Sequence, residues 1–204
     1  MERSAALAHV FSGLRDGAEL RIQLAQTLGP KIVDAAQLIA ECLKDGGKVL
    51  LFGNGGSAAD AQHLAAEFVG RFVLERSPLP GIALTTDSSI LTAVGNDYGF
   101  DQVFVRQVLA LGRPKDVAIG ISTSGNSPNV IKAVQAAAER GLRTIGLAGR
   151  DGGALAKGVE VAITVPSTNT ARIQECHIAV GHVLCELVEN ELFGRGIREQ
   201  ADRS

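Results

Sequence analysis

Between residues 2 and about 44, apolar side chains recur at helical spacing, through Leu7, Val10, Phe11 and Leu14 and then Ile32, Ala36 and Ile39. The pattern predicts helix, and Gly29-Pro30 predicts a break that divides it in two. Beyond residue 46 short apolar runs take over: KVLLFG (48–53), GIALTT (81–86), DVAIGIS (116–122), RTIGLAG (143–149) and VEVAITVP (159–166). Helical patterns separate them, near 57–70, 88–94 with 101–111, 128–140 and 151–157, and a last helix is expected from about 171 to 192. Five strands alternating with helices imply right-handed crossovers and a parallel sheet covered on both faces. The expected fold is therefore α/β: a single doubly wound, flavodoxin-like, five-stranded parallel sheet with N-terminal helices. Residues 1–45 form the helical segment, which must bury its apolar stripe on the domain or on other subunits. Residues 46–194 form the sheet domain, and 195–204 a polar tail expected to fray.

Composition narrows the function classes. The 204 residues suit one domain, 46% hydrophobic and 21% charged. A formal charge of −2 gives no electrostatic case for nucleic acid or an acidic membrane surface. Aromatics at 4%, with no Trp, argue against a base-stacking platform. Cys42, Cys176 and Cys185 form no disulfide framework and read as buried free thiols, which suits a reducing cytoplasm. The N-terminal stretch lacks a signal-peptide core, because Arg15 and Asp16 interrupt it, and no apolar run is long enough to span a bilayer.

Two strands end in similar loops. The first ends in Gly53-Asn54-Gly55-Gly56-Ser57 and the third in Ser122-Thr123-Ser124-Gly125-Asn126-Ser127, each followed at once by a helix. Ligands of doubly wound sheets bind at the carboxyl ends of strands. Glycines let the backbone come close, and the unpaired N–H groups of the next helix favour an anion. Ser127-Pro128 also reads as an ordinary N-cap with proline at N1, but that leaves Ser122, Thr123 and Ser124 unexplained. The first loop fits a GxGxxA dinucleotide fingerprint only weakly. The companion acid should lie about 20 residues on, and the nearest candidate is Asp87, in a turn. No GK[ST] is present, which excludes a Walker loop. The site suits one phosphate group without a nucleotide.

His63 and Glu67, four apart on the following helix, share a face and can share a metal. The alternative is a surface pair. Apolar neighbours (Leu64, Ala65, Ala66, Phe68, Val69) place the pair in a mostly buried helix, where it needs partners. The last helix carries Gln174, Glu175, His177 and His182 among apolar residues, and periodicity alone does not rank His177 against His182. Residues 174 and 182 lie two turns and roughly 12 Å apart on an ideal helix. Both reach one ion only through a stretched side chain, or a second subunit supplies one of them.

LLFGNGGSAADAQHLAAEFVGRF, TAVGNDYGF, ISTSGNSPNVIKAVQAA, DGG at 151–153 and ARIQECHIAVGHVLCELVE, in that order, resemble the bacterial phosphoheptose isomerases of the sugar isomerase (SIS) domain superfamily. The match runs from about residue 30 to 194. The resemblance implies conversion of sedoheptulose 7-phosphate to D-glycero-D-manno-heptose 7-phosphate, feeding ADP- or GDP-heptose synthesis for lipopolysaccharide or other glycans. It implies a cytoplasmic homotetramer with one Zn2+ per subunit and active sites at subunit interfaces. By motif, the zinc ligands are His63, Glu67, Gln174 and His182, and phosphate is met by Ser57, Ser122, Thr123, Ser124 and Ser127 with the Gly55-Gly56 backbone. Asn54, Asp97 and Gln174 touch the sugar, Glu67 is the base and His182 the acid. Some members carry an acidic residue where this chain has Ala171, and Thr170 or Asn169 are the available substitutes. The competing reading is a non-catalytic SIS module that senses a sugar phosphate or binds a replication-initiation partner. Glu67 and His182 count against it.

Overall fold

The computed structural model describes residues 2–194. The tail expected at 195–204 lies outside the described residues. Helix α1 (Arg3–Lys44) leads into β1 (Val49–Gly53), α2 (Gly56–Val69), β2 (Gly81–Ala83), α3 (Ser88–Tyr98), a 3-10 turn (Phe100–Gln102), α4 (Val105–Leu111) and β3 (Val117–Ser122). Then come α5 (Pro128–Glu139), β4 (Arg143–Gly149), α6 (Gly153–Lys157), β5 (Val161–Val165) and α7 (Thr170–Phe193). All strand pairs are parallel, in the order β2-β1-β3-β4-β5. This is the doubly wound, flavodoxin-like order expected.

Strand alternation distributes the core over both faces. Val49, Leu51, Val117, Ile119 and Ile121 pack with α1, α2 and α7. Leu50, Phe52 and Ala118 point the other way, into a cluster with α4, α5 and α6. The chain leaves β1 toward β2 and leaves β3 toward β4, so neighbouring strands β1 and β3 form the topological switch point. A crevice opens there at the carboxyl ends, and both Gly/Ser-rich loops border it.

Three expectations need correction. The N-terminal helices are one, with Pro30 inside α1. An interior proline costs about 3 kcal/mol, but Leu24, Leu28 and Ile32 on both sides of it pack into the α7-side core and hold the helix together. The strand GIALTT shortens to Gly81–Ala83, an edge strand that pairs with β1 alone among the described residues. The helix expected to stop near residue 94 runs on through Gly95 to Tyr98, where Gly99 (φ 90°) ends it.

The buried thiols are as expected: Cys42, Cys176 and Cys185 are free and buried. Burial pushes Cys42 up to about 11 and Cys185 to about 12, which leaves them protonated and unreactive. Among the described residues no helix is long and apolar enough to cross a membrane.

Candidate active site

The first loop turns at Gly55 (φ 56°), the cap of α2, and Gly56 opens the helix. Ser57 is buried in the first turn. Opposite it, Ser122 is a buried hydroxyl 2.9 Å from Ser127 Oγ and 3.3 Å from Ser124 Oγ. Ser127 caps α5 in position but makes no side-chain cap hydrogen bond, so its hydroxyl belongs to the loop cluster. Ser122, Ser124 and Ser127 thus gather their hydroxyls in one cluster, with Thr123 half-buried among them. The first-turn N–H groups of α2 and α5 border the same crevice, an arrangement that suits an anion.

Two features of this loop pair escaped sequence reasoning. Asn54 and Asn129 exchange two amide hydrogen bonds of 2.9 Å, joining the turn after β1 to the first turn of α5. The triplet Asp151-Gly152-Gly153 buttresses the second loop: a Cβ on Gly125 (φ 66°) would lie 2.2 Å from the Gly152 carbonyl oxygen. Leu155 N–H donates to Gly125 O (2.9 Å) and Ala154 N–H to Asn126 Oδ1 (3.1 Å). Only the adjacency of SPN to STSGN hinted at Asn129.

Helices α2 and α7 lie side by side with the same direction. Gly56 meets Gln174, Leu64 meets Gly181, His63 meets His182 and Phe72 meets Glu189. A Cβ on Gly181 would come 2.6 Å from Leu64 Cδ2, so glycine there permits the close crossing. That crossing brings His63 Nε2 to 2.8 Å from His182 Nε2 and 3.4 Å from Glu67 Oε1. The three ligand atoms lie within 4.8 Å of one another. His182, not His177, is thus the histidine that joins the pair, and it does so within one chain. His177 is buried on another face, its Nε2 3.0 Å from Ala148 O.

The burial expected of the His63–Glu67 pair is not found: the His63 side chain is 48% exposed and that of Glu67 22%. The apolar neighbours Leu64, Ala65 and Phe68 face the core, which leaves residues 63 and 67 on the open flank. Two imidazoles and a carboxylate are a borderline-metal donor set, and tetrahedral zinc at ~2.0–2.2 Å places its ligands about 3.3 Å apart. The His63–Glu67 spacing fits that edge, the histidines would separate by about 0.5 Å, and the Glu67–His182 edge is within 4.8 Å. Gln174 sits at the opposite end of the contact, where a Cβ on Gly56 would lie 2.3 Å from its Nε2.

Asp97 is exposed near the end of α3, and its Oδ1 accepts from Asn96 Nδ2 at 2.8 Å. Asn169 caps α7, its Oδ1 accepting from Ala171 N–H (3.0 Å) and Arg172 N–H (3.4 Å). That leaves Thr170 the freer substitute for an acidic residue at 171.

Residues 14–149 match the family model of the SIS domain. A phosphoheptose isomerase of Aquifex aeolicus is 62% identical over 181 residues, covering 89% of this chain and 95% of the relative. Among solved structures, the phosphoheptose isomerase of Neisseria gonorrhoeae has a TM-score of 0.86 at 48% identity, covering 91% of this chain and 99% of that one. The phosphoheptose isomerase of Francisella tularensis has a TM-score of 0.87 at 41% identity, covering 91% and 98%.

Proposed function

Given that the chain belongs to the phosphoheptose isomerases of the SIS-domain family, we propose that it converts sedoheptulose 7-phosphate to D-glycero-D-manno-heptose 7-phosphate. The observation that carries this reading is the distance between two sites on one helix. Ser57, in the anion-binding turn, and His63, in the His/Glu/His group, are separated by about 9 Å of helix axis. A phosphate held at one end and a carbonyl handled at the other need several carbons between them, which suits a sugar phosphate, and the likeness to phosphoheptose isomerases is what favours the heptulose.

Ser57, Ser122, Thr123, Ser124 and Ser127, with the Gly55-Gly56 backbone, hold the phosphate. This binding energy, remote from the reacting carbons, fixes C1 and C2 near Glu67. Asn54, Gln174 and Asp97 meet the sugar hydroxyls. His63, Glu67 and His182 would hold the zinc, one per subunit; Gln174, at the opposite end of the α2–α7 contact in the same chain, would serve as a fourth ligand only to another subunit's ion. When bound, the zinc would supply Lewis-acid polarisation of the carbonyl oxygen. The Glu67 carboxylate takes the proton from C1 while His182 Nε2 gives one to the C2 oxygen, forming the enediol; Glu67 then delivers its proton to C2 and His182 accepts the one on the C1 oxygen, giving the aldose. A coordinated carboxylate is a weaker base and a coordinated nitrogen carries no proton, so Glu67 and His182 would act as base and acid only while not engaged as ligands.

The setting follows from the same resemblance: a cytoplasmic homotetramer, its N-terminal segment (1–45) packing on other subunits, its product used for ADP- or GDP-heptose and lipopolysaccharide or other glycans. The test is product NMR after incubating the protein with sedoheptulose 7-phosphate, with and without chelator. The aldose should appear, vanish with chelator and return with zinc. No product with zinc restored would leave the non-catalytic sensor as the better reading. Glu67→Gln should lower kcat at least about 100-fold while inorganic phosphate still binds. A variant with full turnover removes Glu67 as base.

A further inference from the structure

We infer that the buried Arg76–Glu189 ion pair is a positioning device that sets α2 against α7 and thereby the spacing of His63, Glu67 and His182. This rests on reading that group as a metal site. Neither residue belongs to the group, and both side chains are only 2% exposed. Arg76 lies in the segment after α2, and Glu189 sits on α7 two turns beyond His182.

Their hydrogen bonds reach the group from two directions. Arg76 Nη2 donates to the carbonyl oxygen of Glu67 itself (2.8 Å), and Nη1 to that of Phe68 (2.7 Å). The guanidinium thus occupies carbonyls that the end of α2 leaves unpaired, and its charge suits the negative end of the helix dipole. Arg76 Nε donates to Glu189 Oε1 at 2.9 Å, which ties the end of α2 to α7. The Glu189 carboxylate also accepts the N–H groups of Phe72 (2.8 Å), Val73 (2.9 Å) and Leu74 (3.0 Å). That grip fixes Phe72, whose ring centroid lies 5.3 Å from that of His182 at an interplanar angle of 34°. Glu67 is therefore held through its own main chain, and His182 through the ring that packs on it. Burial alone would raise the Glu189 carboxyl, but the three N–H groups and the guanidinium outweigh it and hold the group below its ordinary value.

A buried ion pair is a poor source of net stability compared with apolar packing of the same volume. Here its hydrogen bonds fix one geometry, and it stands where the two ligand-bearing helices must stay in register. Contacts behind metal ligands commonly change affinity 10–100-fold when altered.

The test uses the full chain with Glu189→Gln, Arg76→Lys and Phe72→Leu. Co2+ is titrated and followed by its visible absorption, and inorganic phosphate binding is measured by calorimetry as a reference at the opposite end of the same helices. Expected for the two ion-pair variants is a 10–100-fold loss of Co2+ affinity with a displaced absorption band, while phosphate affinity stays within about twofold. Phe72→Leu keeps the ion pair, and it should displace the band with a smaller loss. Ion-pair variants that bind Co2+ as the unsubstituted chain does, or that lose Co2+ and phosphate in parallel, overturn the inference. If neither ion-pair variant folds by circular dichroism, an unchanged band in Phe72→Leu overturns it instead. A failure of the unsubstituted chain to bind Co2+ sinks the metal reading and this inference with it, a result distinct from wild-type-like variants.

Discussion

Asn54 and Asn129, paired through two amide hydrogen bonds, show how single residues hold the crevice between the two loops together. Asn129 is buried and also accepts the N–H of Val130 through its Oδ1 (3.0 Å). Asn129→Ala leaves the Asn54 amide without its partner and frees the first loop from α5. A hydrogen-bond deficit of about 1–1.5 kcal/mol should raise KM for the sugar phosphate about tenfold, with kcat within about twofold because the His/Glu/His group is untouched. Steady-state kinetics checks the split, and a loss confined to kcat would contradict it. His177 carries the clearest pH signature. Burial pushes it down to about 4, only partly opposed by the hydrogen bond to Ala148 O, so it stays neutral and donates from Nε2. Its folded value lies below the ordinary 6.5, so between about 6.5 and 4 the unfolded chain binds a proton that the folded chain refuses. Stability is full above that window and falls as pH drops through it, by about 3 kcal/mol at most. Urea unfolding from pH 7 to 4.5 should show this slope, and His177→Gln should flatten it.

At the scale of elements, the contact of α2 with α7 decides whether the site exists. Gly181 lets Leu64 pack where a side chain would stand, and the next residue is His182. Gly181→Ala must push the helices apart at their closest point, at a cost of about 1–3 kcal/mol. Metal affinity should fall, while the hydroxyl loops at the far end of α2 keep their geometry. Thermal melting with and without Zn2+ measures both effects, and a variant with the full zinc-induced shift in Tm would show that the crossing has slack. The same contact marks where the sequence was legible. Buried parallel strands read as apolar runs, so β1, β3 and β4 were located within a residue, and the two loops followed from them. The pairing of His63 with His182 was not legible, because 119 residues separate them and helical periodicity does not reveal which face of α7 meets α2. Gly181 and the Arg76–Glu189 pair share that cause. Pro30 misled for the converse reason: its local penalty is plain in the sequence, and the packing of Leu24, Leu28 and Ile32 that outweighs it is not.

At the scale of the whole molecule, α1 is longer than the domain needs. Its 42 residues span roughly 63 Å at 1.5 Å per residue, and the part beyond Leu24 contributes to the core. The first turns instead present Leu7 (60% exposed), Val10 (57%), Phe11 (67%) and Leu14 (70%) on one face. Their i, i+3, i+4, i+7 spacing is that of a stripe meant for burial. A contiguous exposed apolar face of this kind marks an association surface. Helix α3 has no buried residue, and its Tyr98 with the following Phe100 presents a second exposed apolar area, on the side that carries Asp97. In the proposed homotetramer both surfaces would be covered, and Asp97 would be brought toward a substrate. Leu7→Glu combined with Phe11→Glu places two charges in the stripe without touching the domain core. The double variant should keep its helical circular dichroism and run well below the tetramer mass in light scattering, toward the 21.2 kDa of one chain. Turnover should fall with the mass, and zinc should still bind, because His63, Glu67 and His182 come from a single chain. A double variant that stays tetrameric would remove α1 from the interface and leave its apolar stripe without an occupant.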